Sequence, residues 1–233
     1  MKILITGASK GIGFETAYEL AIAGHEVLAI ARSQDQLEKL KSSILDQKNT
    51  AKIHILKMDL QQIDQDQLLA QIRAMQGLDV LINNAGLLIN KPFLELSEQD
   101  WQQSFEVNFF ANVRLIRLLL PHLEESFQAH IVNIGSMGGY AGSSKYPGLS
   151  AYSASKAALA NLTECLAHEL SSQKIAVNCL ALGAVQTEML ENAFPGYQAP
   201  VNSQQMGAYV AHFCTHGQQL FSGKIIPVSR SNP

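Results

Sequence analysis

The chain has 233 residues, 47% of them hydrophobic, and a formal net charge of −3. That is enough apolar material for a sizeable core and far from a disordered composition. The mild acidity and the lack of a basic tract argue against a nucleic-acid partner, and no apolar window is long enough to span a bilayer.

In chain order, the first strand is expected at Lys2–Thr6. Gly7, Gly11 and Gly13 follow, then a helical pattern over Ile12–Ala23. Such a strand, glycine turn and helix N-terminus make an anion site, because free N–H groups and the helix dipole favour negative charge. The same spacing also suits an ordinary glycine-rich turn. Further strands are expected at Glu26–Ala31, Lys52–Met58, Asp79–Asn83, Ala129–Gly135, Lys174–Leu182 and Lys224–Val228. Helical patterns lie between them near Asp35–Leu45, Asp64–Met75, Glu98–Leu123 and Ala151–Leu170. This alternation predicts an α/β fold, a doubly wound parallel sheet of about seven strands in a single domain over residues 1–233. Ser97 is placed to cap the fourth helical stretch, and Pro121 to kink or end it. Residues 184–223 read as irregular with weak helical pieces, a flap at the sheet edge where open α/β sheets bind ligands.

The second strand ends in Arg32 and Ser33 rather than a carboxylate. A guanidinium and a hydroxyl there suit a ribose 2′-phosphate, and Lys10 adds positive charge, so NADP(H) is expected over NAD. Arg32 alone would pass for a solvated strand-end charge. Asp59 after the third strand either accepts from an adenine amino group or caps a turn. Asn83-Asn84-Ala85-Gly86 is either a turn or backbone laid close to a cofactor. Tyr152 and Lys156 share one helix face. An ammonium near a phenol lowers the phenol's pKa and equips it for proton transfer, although the pair also suits a plain amphipathic surface. Ser136, after a buried strand, offers a hydroxyl to a substrate carbonyl. Cys165, Cys179 and Cys214 have no metal-type spacing and read as reduced thiols of a cytoplasmic protein without a signal peptide.

Together these motifs resemble the short-chain dehydrogenase/reductase family over residues 1 to about 190. Thr6-Gly7-Ala8-Ser9-Lys10-Gly11-Ile12-Gly13 matches its cofactor signature, Asn83 to Gly86 its second motif, and Val107-Asn108-Phe109 its helix asparagine. Ile131 to Ser136 matches the strand bearing the catalytic serine, and Tyr152 to Lys156 the YxxxK motif. The resemblance implies a Rossmann-type fold and hydride transfer between NADP(H) and a carbonyl or alcohol substrate. Tyr152 would be the general acid, Lys156 would tune it and bind the nicotinamide ribose, Ser136 would polarise the carbonyl, and Asn108 would hold a relay water. It further implies cofactor contacts from Gly7, Ser9, Lys10, Gly11, Ile12, Gly13, Arg32, Ser33, Asp59, Leu60, Asn83, Ala85, Gly86, Gly183, Val185 and Thr187. No metal is expected, and a homodimer or homotetramer through the two long helices is implied by resemblance alone. The substrate pocket should take in Leu87 to Asn90, Met137 to Gly139, Tyr146 and residues 184–210. The alternative reading is a non-catalytic NADP(H)-binding regulator.

Three departures stand out. Ser143-Ser144-Lys145-Tyr146-Pro147 looks inserted between the serine and the tyrosine. Leu182-Gly183 replaces the family's Pro-Gly, which should loosen the loop bearing Thr187. The family's Gly-Gly ending is missing and the segment 188–223 is short, which should abbreviate the flap.

Overall fold

A computed structural model describes residues 1–230 of the chain. Seven strands form one sheet: β1 (Lys2–Thr6), β2 (Glu26–Ala31), β3 (Ile53–Lys57), β4 (Val80–Asn83), β5 (His130–Ser136), β6 (Ala176–Leu182) and β7 (Ile225–Val228). Their order is β3-β2-β1-β4-β5-β6-β7, and every pairing is parallel. The order reverses between β1 and β4, and that switch point opens a crevice above the strand ends.

Among the described residues, eight α-helices accompany the sheet: α1 (Gly11–Ile22), α2 (Gln34–Gln47), α3 (Gln65–Ala74), α4 (Glu98–Phe105), α5 (Ala111–Leu123), α6 (Ser150–Glu169), α7 (Glu188–Ala193) and α8 (Ser203–His216). Alternate side chains of β1 serve opposite cores, as strand geometry requires. Ile3 and Ile5 join Leu20, Leu37, Val210 and Phe213 on one face, while Leu4 joins Leu68, Ile72, Leu115 and Leu119 on the other.

Two expectations change. The helix expected over residues 98–123 has those ends, but its middle, 106–110, is a π-turn that carries Asn108, a feature common at functional sites. Pro121 lies in the last turn of α5, which ends at Leu123. The stretch 184–223 is far more regular than its pattern suggested. α8 opens with a capping box of Asn202 and Gln205 and buries Met206, Val210, Phe213 and Cys214. It packs on α1, where the Thr16 hydroxyl donates to the Gly207 carbonyl at 3.5 Å. The apolar spacing 206, 210, 213, 214 was a helix signal in plain view. The expected absence of a Gly-Gly ending falls partly on residues 231–233, which lie outside the described residues.

One buried contact makes stability depend on pH. His130 of β5 is fully buried, with Nδ1 3.1 Å from the Cys214 carbonyl and Nε2 3.0 Å from the Asn178 amide nitrogen. The amide can only donate, so Nε2 accepts and Nδ1 carries the proton. Burial lowers its pKa from 6.5 to about 4. Above pH 6.5 both folded and unfolded chains hold this group neutral; below it the unfolded chain takes a proton that the folded one refuses. Stability should therefore fall as pH drops from about 6.5 to about 4, by roughly 3 kcal/mol in all. Urea unfolding across that range checks it. His130→Phe should flatten the slope, and an unchanged slope would clear the histidine of the effect.

Candidate active site

The cofactor end is built from backbone. Gly7 and Gly11 take φ of 68° and 60°, which turn the chain from β1 into α1. Lys10 sits at the N-cap of α1 without a capping side-chain hydrogen bond, and the first turn holds no acid. The first N–H groups of the helix are thus left for an anion, which fits the diphosphate of a dinucleotide. The Thr6 hydroxyl ties this turn to its neighbour by accepting from the Asn84 and Ala85 amides at 3.1 Å each. The Asn84 side chain returns the bond, donating to the Thr6 carbonyl at 2.9 Å and the Gly7 carbonyl at 3.2 Å.

At the rim, Arg32 and Ser33 are exposed at the end of β2. Arg32 enters no ion pair among the described residues. Lys10 does not stand free beside it. Its Nζ reaches across the crevice to the Glu188 carboxylate at 2.6 Å. The Asp59 carboxylate accepts from the Gln61 amide at 3.0 Å, so one of its oxygens caps a turn. Leu60 is buried at 9% exposure, while its carbonyl accepts from Arg114 at 3.3 Å. Asn83 does not line the crevice. It is fully buried and its amide donates to Asn133 at 2.8 Å, because its place on β4 turns it toward β5 and α6. The Asn133 amide continues the chain to the Thr163 hydroxyl at 2.9 Å.

The chemical end lies at the carboxyl end of β5. Ser136 closes that strand, and its Oγ accepts from the Gly138 amide at 3.1 Å. Tyr152 stands in the first turn of α6, with Lys156 one turn further along the same face. Burial raises the Tyr152 phenol above its usual pKa, and the Ser136 hydroxyl beside it pulls the other way. Lys156 is 3% exposed, and burial lowers its pKa to about 8. Its Nζ donates to the Ile134 carbonyl at 2.8 Å. In the chain alone, burial is the larger influence on the phenol, and a strand carbonyl accepts from the ammonium. Lys156 Nζ and Asn108 Oδ1 both face Gly86, where an added Cβ would lie 3.4 and 3.3 Å from them.

Asn108 is occupied as a brace. Its Oδ1 accepts from the Leu87 amide at 2.8 Å, and its Nδ2 donates to the Leu87 carbonyl at 2.9 Å and the Ser155 hydroxyl at 3.0 Å. Its own carbonyl accepts from Asn112 at 2.8 Å. The relay water it was expected to hold would have to share one of these engaged acceptors.

The far wall is the segment after β6. The Gly183 amide donates to the Val228 carbonyl at 2.9 Å and the Gln186 amide to the Val201 carbonyl at 2.8 Å. Val185 is 5% exposed, so this loop is held without the missing proline, contrary to the loosening expected from Leu182. The Thr187 hydroxyl caps α7 by accepting from the Leu190 amide at 3.3 Å, and its methyl would lie 3.3 Å from a Cβ placed on Gly11. The segment read as inserted packs back on the serine turn. The Ser143 hydroxyl donates to the Met137 and Tyr140 carbonyls, and Lys145 Nζ donates to the Tyr140 carbonyl at 2.6 Å.

Residues 1–198 match the short chain dehydrogenase family. The chain belongs to that family. A fatty acyl-CoA reductase of Acinetobacter baylyi is 39% identical over 191 residues, 80% of this chain and 63% of that protein. An uncharacterized oxidoreductase of Mycobacterium tuberculosis is 34% identical over 194 residues, 81% of this chain and 56% of its own length. The chain thus spans less than two thirds of these relatives. A solved structure from Beutenbergia cavernae, with NADP bound at low occupancy, has a TM-score of 0.86 at 26% identity and covers 98% of this chain and 95% of that one. Levodione reductase shares the fold, with a TM-score of 0.87 at 24% identity over 97% of this chain and 95% of that one.

The short-chain dehydrogenases to which this chain belongs are a family of oxidoreductases that bind a nicotinamide cofactor. Sequence reasoning did not single out Thr6, Asn84, Asn133, Thr163 and Glu188 as parts of the site. Thr6, Asn84 and Asn133 lay inside quoted motifs. Thr163 and Glu188 act through partners 30 and 178 residues away, which no local pattern marks. Among the described residues, no helix is long and apolar enough to cross a membrane, and no cluster of three potential metal ligands occurs.

Proposed function

We propose that the protein is an NADPH-dependent carbonyl reductase. The observation that carries this reading is the placement of half-buried Tyr152 and buried Lys156 beside Ser136 at the carboxyl end of β5, across the crevice from the uncapped N-terminus of α1. A bound nicotinamide dinucleotide would supply the hydride. The Gly7–Gly13 turn would hold its diphosphate and Lys156 the nicotinamide-side ribose. Ser136 donates a hydrogen bond to the substrate oxygen, and Tyr152 transfers its proton to that oxygen as negative charge develops there. The phenol is protonated near neutrality, as a proton donor must be.

The test is oxidation of NADPH against a panel of ketones, diketones and 3-oxoacyl and fatty acyl thioesters, the last suggested by the Acinetobacter relative. Turnover of one class supports the reading; silence across the panel sinks it.

The preference for NADP(H) rests on Arg32 and Ser33, exposed at the strand end with no acid among them. Arg32→Asp should weaken NADPH by roughly ten- to a hundredfold, the worth of a charge-assisted hydrogen bond, and NADH far less. Fluorescence titration with both cofactors measures this, and an equal effect on the two would refute it. Assembly as a homodimer or homotetramer is proposed as well. Support comes from Phe93, Leu94 and Phe110, which are 64%, 94% and 48% exposed around α4 and the π-turn. Three free cysteines fit the reducing cytoplasm.

A further inference from the structure

Three separate segments meet at Asn90 near the carboxyl end of the sheet: the loop after β4, the inserted loop before α6, and the flap 186–202. The flap is closed on itself. Gln186 bridges to Asn202, its side chain accepts from the Ala199 amide at 2.8 Å, and Glu191 accepts from the Gly196 amide at 3.1 Å. Hydrogen-bond contacts that tie α7 outward sit at its two ends: Glu188 to Lys10, and the Ala193 carbonyl to Asn90. The second is the more directed. Asn90 Nδ2 donates to that carbonyl at 2.7 Å, a short bond to the free C-terminal end of a helix.

The other side of the same amide meets the inserted loop. Gly148 has φ of 85°, and a Cβ there would collide with Asn90 Oδ1 and lie 3.1 Å from Asn90 Cγ. The next residue along completes the seam, since the Lys91 amide donates to the Gly148 carbonyl at 3.0 Å. Glycine is thus needed at 148 twice over, for the left-handed backbone and for the side chain seated against it. From α6, Tyr152 follows Gly148 within one turn of chain, so the seam also fixes where the catalytic helix begins.

We propose that Asn90 is a positioning residue which clasps α7 and the inserted loop together over the substrate, and so sets substrate affinity without taking part in proton transfer. It acts through these segments and touches no reacting atom. The inference rests on the carbonyl-reductase reading for its kinetic consequence, but the clasp itself does not.

The test is Asn90→Asp, which keeps the shape seated on Gly148 and removes the donor to Ala193. Hydrogen exchange in α7 and the turn after it should quicken about three- to tenfold, the worth of one hydrogen bond, while β1, β5 and β6 exchange as before. With NADPH and ethyl acetoacetate as probes, KM should rise by the same factor and kcat stay within about twofold. Asn90→Ser, which retains a donor, should recover part of both effects. Unchanged exchange in α7 overturns the proposal, as does faster exchange with an unchanged KM or a fall confined to kcat. If the wild-type chain does not reduce the ketoester, it is the functional reading that loses support, and exchange alone decides the clasp.

Discussion

Replacing Tyr152 with phenylalanine is expected to cost roughly 10²- to 10⁴-fold in kcat, the usual contribution of a positioned general acid, while cofactor affinity stays near that of the wild type. The change removes one oxygen and leaves the ring in its half-buried seat on the first turn of α6. Tyr152 is the phenol placed beside Ser136, and burial holds it protonated above its ordinary pKa. Lys156 cannot stand in for it, because its ammonium is buried and donates to the Ile134 carbonyl at 2.8 Å. Stopped-flow turnover set beside a cofactor titration separates the two effects. A Tyr152→Phe enzyme that keeps its kcat would remove the tyrosine as proton donor.

Gly13→Ala should cost cofactor binding and stability together. Gly13 is helical and needs no special backbone; what it needs is room. An added Cβ would press on Asn84 Nδ2 and the Gly7 carbonyl oxygen, and lie 2.9 Å from the Gly7 carbonyl carbon. Those are the groups that join the glycine turn to the segment after β4, through the Asn84 bonds to the Thr6 and Gly7 carbonyls. Backbone cannot swing aside as a flexible side chain can, so the helix must back away from the sheet. Overpacking of this kind costs about 1–3 kcal/mol, or roughly 3–10 °C in Tm at this chain length. The displaced N–H groups of α1 should lower cofactor affinity at least about tenfold. Thermal unfolding with and without NADPH reads both quantities. An alanine variant with the full cofactor-induced rise in Tm would show that the close approach does not matter.

Much of the site's chemistry was readable in advance because it follows local patterns. Tyr152 and Lys156 share a face by helical spacing, Gly7 and Gly11 occupy positions that ask for positive φ, and Arg32 ends a strand where a carboxylate would otherwise be expected. The fate of the same residues once folded was another matter. Lys10 looked like a second charge for a phosphate, and the fold gives it Glu188 at 2.6 Å. Asn83 looked like crevice lining, and its β4 position turns it into the interior against Asn133. Lys156 was expected beside the phenol, and the fold adds a bond from its ammonium to a carbonyl of β5. Each difference comes from a contact between segments far apart in the chain.

The sequence by itself determined the succession of strands and helices, the single parallel sheet they imply, and the order of the family's motifs along it. It could do so because period-2 and period-3.6 patterns, glycine turns and caps are written within a few neighbouring residues. The tertiary structure alone decided three things: the π-turn that sets Asn108 against Leu87 and Ser155, the packing of α8 on α1, and the meeting of three loops at Asn90. These depend on which distant groups are brought within about 3 Å, and on burial, which raises a phenol and lowers an ammonium by withdrawing water from both.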